Sequence, residues 1–117
     1  MNIKSTITAI AMLVASLVLS VSSASAATLR YDSVAARGTD SWTFTLCAGV
    51  THEIIVRGDG DTDLDFYLYD GNGNLIDSDE DGTDYCVLRV SPRWSGKFTL
   101  VVRNHGRVCN NYRLLID

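Results

Sequence analysis

The sequence predicts an all-β domain, an antiparallel β-sandwich of about seven or eight strands. Three observations carry this. Apolar and polar residues alternate with period two in several short runs, the mark of a strand with one buried face. Clusters of Gly, Asn, Asp and Pro separate those runs. After residue 26 no segment sustains the helical spacing of apolar residues. The chain has 117 residues with one Pro and nine Gly, enough for one domain and no more.

Residues 1–26 stand apart. Lys4 is the only charge before Arg30, an apolar run extends from about Ile7 to Val21, and Ala24-Ser25-Ala26 supplies a small-x-small ending. That combination describes a secretory signal peptide cleaved before Ala27. The apolar run is at the short edge of the ~20 residues that a membrane span needs. Residues 27–117 then form the domain, secreted or periplasmic, with no membrane attachment after cleavage. Export also permits a disulfide.

The strands follow in order. Trp42, Phe44 and Leu46 alternate with Ser41, Thr43 and Thr45. His52–Arg57 is strand-like but less regular, with Ile54 and Val56 taken as inward. Leu64, Phe66 and Leu68 alternate with Asp63, Asp65, Tyr67 and Tyr69. Cys86, Leu88 and Val90 alternate with Val87 and Arg89. Phe98, Leu100 and Val102 alternate with Thr99, Val101 and Arg103, and Tyr112, Leu114 and Ile116 alternate with Arg113 and Leu115. The first member of each set is expected in the core. Asp70-Gly71-Asn72-Gly73 should turn a hairpin, since Asn and Gly accept positive φ. Pro92 to Gly96 is expected to turn another, pairing Cys86–Ser91 with Lys97–Arg103.

Composition excludes several functions. Signal removal leaves nine basic against fourteen acidic residues, a formal charge of −5. Neutralising phosphates takes a Lys/Arg surplus, so nucleic acid is excluded as a partner. The charge is also segregated: Asp59 to Asp84 holds ten acidic residues and no basic one, and Tyr85 to Ile116 holds six basic residues and no acidic one. His52 and His105 are the only histidines, and neither sits in a nucleophile-elbow or catalytic-cysteine signature. The zinc motifs H-E-x-x-H and C-x-x-C are missing, and the acidic residues of Gly58-Asp59-Gly60 would repel phosphate.

The run Gly58-Asp59-Gly60-Asp61-Thr62-Asp63-Leu64-Asp65-Phe66-Tyr67-Leu68-Tyr69-Asp70 resembles the bacterial pre-peptidase C-terminal domain, whose pattern is close to GDGDTDLDLYVYD. The resemblance continues through Asn72-Gly73-Asn74-Leu75-Ile76, Ser78-Asp79, Asp84-Tyr85-Cys86 and Pro92-Arg93-Trp94-Ser95-Gly96. It ends with Val102-Arg103-Asn104, Gly106 and Asn110-Asn111-Tyr112, so it covers about residues 40–116. It implies a jelly-roll-like β-sandwich without catalytic activity, of the kind found C-terminal to secreted peptidases. Relatives in that family assist secretion or localisation, bind collagen, or hold Ca²⁺. With the first 26 residues read as a signal peptide, a free-standing module is expected rather than an appendage to a peptidase, which departs from the family pattern.

The expected function is therefore extracellular binding, of a polymer or of a secreted peptidase in an accessory role. A secreted hydrolase inhibitor, or an enzyme of unfamiliar design, is the alternative. The expected sites are three. Asp59, Asp61 and Asp63, with Asp79, Asp81 and Asp84, offer carboxylates in two Gly-containing turns, a candidate Ca²⁺ site; the competing reading is that Asp in turns bonds its own backbone. Cys47 ends one strand and Cys109 precedes the last, so an antiparallel pairing of those strands would bring them into a disulfide. Trp94 near a turn tip, and Tyr67 and Tyr69 in an acidic–aromatic strip with Asp63 and Asp65, are candidate ligand contacts. The reading favoured for Trp94 is that it closes one end of the sandwich, since aromatics mainly bury large apolar area.

Overall fold

The structure, a computed structural model, describes residues 27–117; the segment read as a signal peptide lies outside the described residues. Eight strands form: β1 (Thr28–Val34), β2 (Thr39–Leu46), β3 (His52–Arg57), β4 (Leu64–Tyr69), β5 (Leu75–Asp79), β6 (Tyr85–Val90), β7 (Gly96–Asn104) and β8 (Asn110–Ile116). They make two antiparallel four-stranded sheets with the orders β1-β8-β3-β6 and β2-β7-β4-β5. This is a jelly roll, in which most connections cross from one sheet to the other. The expected sandwich is what forms, and β1 and β5, which alternation did not single out, complete it.

The crossings explain one correction. Pro92 to Gly96 does not turn a hairpin, because β6 lies in the first sheet beside β3 and β7 lies in the second between β2 and β4. A short connection is compatible with either arrangement; here it bridges the sandwich, and the Pro92 carbonyl accepts the Gly49 N–H at 3.3 Å from the β2–β3 loop. Only β4 and β5 are consecutive in sequence and paired. Their turn is the one expected: Asp70 N–H donates to Asn74 O at 2.9 Å, and Gly73 takes a φ of 81° that suits a residue without Cβ.

Period-two alternation converts directly into packing. Leu46, Ile54, Val56, Leu64, Phe66, Leu68, Cys86, Leu88, Val90, Phe98, Leu100, Val102, Tyr112 and Leu114 are buried between the sheets, joined by Val34 of β1. Trp42, Phe44 and Ile116 are only partly buried and pack against this core from its margin. Trp42 lies on the edge strand β2, where one side of the ring meets solvent. Its indole Nε1–H donates to the Tyr112 hydroxyl at 2.7 Å, and that hydroxyl donates to Asp40 at 2.8 Å. The chain ties the two sheets through polar atoms that would otherwise be buried without partners. Burial raises the Tyr112 phenol well above its ordinary pKa.

Candidate functional site

The acidic loops gather at the end of the sandwich where β3 leads into β4 and β5 into β6. The organiser there is Asn110, fully buried at the start of β8. Its Nδ2 donates to the Thr62 carbonyl at 3.2 Å, the Thr62 hydroxyl at 3.1 Å and Asp84 Oδ2 at 3.1 Å. Its Oδ1 accepts the Asp59 N–H at 3.1 Å. Asp84 Oδ2 also accepts the Gly60 N–H at 2.6 Å. Gly58 lies so close that a Cβ there would collide with Asp84 Oδ2 and the Asn110 side chain, and a Cβ on Gly106 would collide with the Thr62 side chain, so both positions require the lack of a side chain. Asn104, equally buried, holds the neighbouring loop. Its Nδ2 lies 2.9–3.3 Å from the carbonyls of Val34, Ala35 and Val108, and its Oδ1 accepts the Gly106 N–H at 2.8 Å.

This wiring engages four of the six carboxylates expected to hold Ca²⁺. Asp59 accepts the N–H groups of Asn111 at 2.8 Å and Asp61 at 3.0 Å, and these bonds lower its pKa. Asp81 accepts the Thr83 hydroxyl at 2.8 Å and N–H at 3.0 Å, again with a lowered pKa. Asp79 accepts the Asp81 N–H at 3.3 Å; burial, then the charge of Asp81, raise its pKa. Asp84 is committed to Asn110 and Gly60. Asp61 lies exposed in the turn. No three acidic, His or Cys side chains among the described residues converge on a common point. Ca²⁺ takes six to eight oxygens at once, and Asp59, Asp79, Asp81 and Asp84 already accept hydrogen bonds that shape their loops.

Asp63 differs from the rest. Its Oδ1 is buried without a hydrogen-bond partner among the described residues. Burial, and then the charge of Asp65, raise its pKa, with His105 acting in the opposite sense. Asp65 is nearly buried although it points away from the core, because His105 covers it: the two meet at 2.6 Å through Nε2 and Oδ2. The Tyr67 hydroxyl donates to the same Oδ2 at 3.4 Å, and burial with the carboxylates of Glu80 and Asp65 pushes its pKa up to about 12. The expected acidic–aromatic strip is thus half covered, and Tyr67 and Tyr69 are only partly accessible. An Asp–His pair is two parts of a hydrolytic triad, yet among the described residues no hydroxyl or thiol bonds to the other ring nitrogen.

The expected Cys47–Cys109 disulfide does not form. All three cysteines are unpaired. Its premise was that β2 and β8 are neighbours, whereas β2 pairs with β7 in the second sheet and β8 pairs with β1 and β3 in the first. Cys47 lies beside His52, whose Nε2 is 3.1 Å from the Cys47 carbonyl, at the end where β8 finishes; Cys109 precedes the start of β8. The length of β8, roughly 20 Å at the usual strand rise, therefore separates them. Cys86 is inward as expected, and burial followed by the charge of Asp79 raises its thiol pKa far above normal.

Trp94 is the candidate that the fold leaves free. It sits in the β6–β7 crossing with 79% of its surface exposed, so it does not close the sandwich. Pro92 in the same crossing is buried and performs that role instead. A cleft of about 380 Å³ lies between this crossing and the β4–β5 turn, lined by Trp94, Arg93, Pro92, Ile76, Asp70 and Asn72 among others. Ile76 is itself 41% exposed.

No family model matches the chain, and no curated protein matches it by sequence. Solved structures do match its fold. The pre-peptidase C-terminal domain of a collagenase from Bacillus anthracis superimposes with a TM-score of 0.60 at 18% identity, covering 77% of this chain and 88% of that one. The Yersinia pseudotuberculosis-derived mitogen gives a TM-score of 0.63 at 13% identity, with 78% and 84% covered. PliG of Aeromonas hydrophila, a periplasmic inhibitor of g-type lysozyme, gives 0.57 at 17% identity, also with 78% and 84% covered. The likeness to all three is one of fold. Among the described residues no helix is long and apolar enough to cross a membrane.

Proposed function

We propose that this chain is a secreted or periplasmic, non-catalytic binding module of the pre-peptidase C-terminal type, acting on an extracellular polymer or as an accessory to a secreted peptidase. The observation that carries the reading is the exposure of Trp94 beside Ile76 and Arg93 in an open cleft. A large aromatic ring left in water at a loop, next to further apolar surface, is the pattern of a ligand contact. The sequence motif running from Gly58 to Asp70 and the shared fold with the collagenase domain support the family assignment.

The test is retention of the exported protein on collagen, chitin and peptidoglycan, compared with Trp94→Ala. Native protein should bind one of these, and Trp94→Ala should lose most of that binding with its melting temperature unchanged. Equal retention of the two proteins would overturn the role of the cleft. A second reading, inhibition of a secreted hydrolase, draws on the lysozyme inhibitor among the similar structures. Inhibition of a lysozyme by the native protein, with no retention on any polymer, would favour it.

A further inference from the structure

The first sheet turns its inner side to the core and leaves its outer side uncovered. The strand registers align that outer side into rows. Tyr31 lies opposite Arg113, Arg113 opposite Arg57, and Arg57 opposite Tyr85, so one row reads Tyr-Arg-Arg-Tyr across β1, β8, β3 and β6. The adjacent row, two residues along each strand, reads Leu29, Leu115, Ile55 and Val87 and is wholly apolar. Tyr31 is 72% exposed, and Leu29, Tyr85 and Val87 are exposed as well.

Two features of this face are unfavourable for the isolated domain. Like charges directly opposite in an antiparallel pair destabilise it, and Arg57 faces Arg113 in that way. Neither forms an ion pair with any carboxylate among the described residues; the ion pair on this side, Arg89 with Glu53 at 3.0 Å, lies beyond the apolar row. The Arg57 guanidinium instead rests over the Tyr85 ring, 5.0 Å from its centre. Beside the arginines opens a shallow groove of about 740 Å³ bordered by Asp32 and Asp59. Both of those carboxylates are already engaged by backbone N–H groups, of Ser33 and of Asn111 and Asp61. The apolar row is partly open to water, with Leu29 and Val87 exposed and Ile55 and Leu115 half-buried.

We propose that this face is a docking surface for a protein partner that presents carboxylates next to apolar side chains. Charge complementarity chooses the partner: the rest of the secreted domain is strongly acidic, so this basic row is where an acidic partner meets attraction. The Leu-Leu-Ile-Val row selects a protein segment over an anionic glycan, which has no apolar side chains to cover it. Two copies of this chain set face to face would oppose arginines to arginines. Four strands at about 4.8 Å spacing give a patch well short of the ~800 Å² per partner of a standard interface. The patch therefore takes one segment of the partner. Tyr and Arg are the residue types on which binding energy concentrates. The surface is separate from the Trp94 cleft, which the β6–β7 crossing builds between the sheets.

The experiment measures binding of a labelled peptide of alternating Glu and Leu to the exported protein by fluorescence anisotropy. A Gln/Leu peptide, an oligogalacturonate and phosphatidylglycerol vesicles serve as competitors. The expected result is binding of the Glu/Leu peptide that weakens with added salt, at least tenfold loss in Arg57→Glu and Arg113→Glu, and no loss in Trp94→Ala or in Arg103→Glu, which carries the same charge change on the other sheet. Arg113→Glu should melt at or above the native temperature, because it replaces the opposed like charges with an opposite-charge pair, so lost binding cannot be ascribed to unfolding. Equal binding of the Gln/Leu peptide, unchanged binding in both arginine variants, or preference for the oligogalacturonate or the vesicles would overturn the proposal. So would a dimer in sedimentation that dissociates on Arg113→Glu. Loss in Trp94→Ala alone would instead assign the peptide to the cleft.

Discussion

Replacing Asn110 by Asp changes one NH₂ group into an oxygen and leaves the shape intact, so it isolates the polar contribution of the buried network. Native Oδ1 accepts from Asp59 N–H, and an Asp oxygen can keep that bond. Nδ2, however, supplies the Thr62 carbonyl and Asp84 Oδ2 at 3.2 and 3.1 Å, and an oxygen there donates nothing. The half-buried Thr62 carbonyl loses its donor at about 1–3 kcal/mol, Asp84 Oδ2 keeps only the Gly60 N–H, and a second carboxylate is pressed against Asp84. The expected cost at pH 7 is about 4 kcal/mol, a large part of the ~5–15 kcal/mol available to a domain. At about 4–8 °C per kcal/mol, the melting temperature falls by roughly 15–30 °C. The sign with pH follows. The folded state disfavours the charged form, so the new carboxyl titrates above its unfolded value of about 3.9. The deficit relative to native protein is smallest below that value, where the protonated carboxyl can donate one O–H, and it grows as pH rises through the folded pKa. Thermal melts by circular dichroism at pH 4 and pH 7 read both effects. A variant melting with the native protein at pH 7, or a deficit independent of pH, would refute the reasoning.

Other perturbations probe the remaining parts of the fold. Phe66→Ala empties the centre of the core, where Phe66 is fully buried, and should cost about 3–5 kcal/mol in urea unfolding. Tyr112→Phe removes the hydroxyl linking Trp42 to Asp40 and should cost about 1–3 kcal/mol, with a change in Trp42 fluorescence reporting the freed indole. Asp63→Asn should raise the melting temperature at pH 7. The folded pKa of Asp63 is raised, so its charge subtracts stability above the unfolded value, and the gain should vanish as pH falls below about 4. Asp70 is the opposite case. Hydrogen bonds from Asn74 and Asn72 lower its pKa, so its contribution is present above the unfolded value and lost as pH falls through the folded one; Asp70→Ala should flatten that part of the acid-denaturation curve.

What was legible in the sequence was the local period. Phe66 and Leu88 point inward because each lies in phase with apolar neighbours two residues away, and no tertiary information is needed for that. Sheet assignment was not legible. Pro92 to Gly96 has the length and composition of a hairpin, and only the placement of β3 beside β6 and of β4 beside β7 makes it a crossing. The Cys47–Cys109 expectation failed for the same reason, since a cysteine carries no signal for which sheet its strand joins. Asn104 and Asn110 look like ordinary polar loop residues; their burial follows from loop carbonyls and N–H groups that need partners, which is visible only once the loops are folded together. The reading favoured for Trp94 failed because a Trp near a turn can either seal a core or leave it, and here Pro92 took the inner position.

The charge segregation along the chain becomes meaningful when each charge is followed to its partner. Asp70 and Asp81 are held by backbone N–H groups of their own turns, Asp59 by those of Asp61 and of Asn111 in β8, and Asp84 by Asn110 and Gly60. These four carboxylates are part of the loop architecture and are accounted for by folding alone. The basic half is not. Arg89 has Glu53, but Arg113 faces Arg57, which precedes the acidic run, across β8 and β3 with a tyrosine on each flank. A charge that folding uses cannot be removed without loosening a loop, whereas Arg113 can be exchanged for a neutral residue with no expected loss of stability, and Arg57 with loss only of its contact over the Tyr85 ring. Residues that folding does not need and that cost stability where they stand are those for which a role outside the folded chain is the remaining physical explanation.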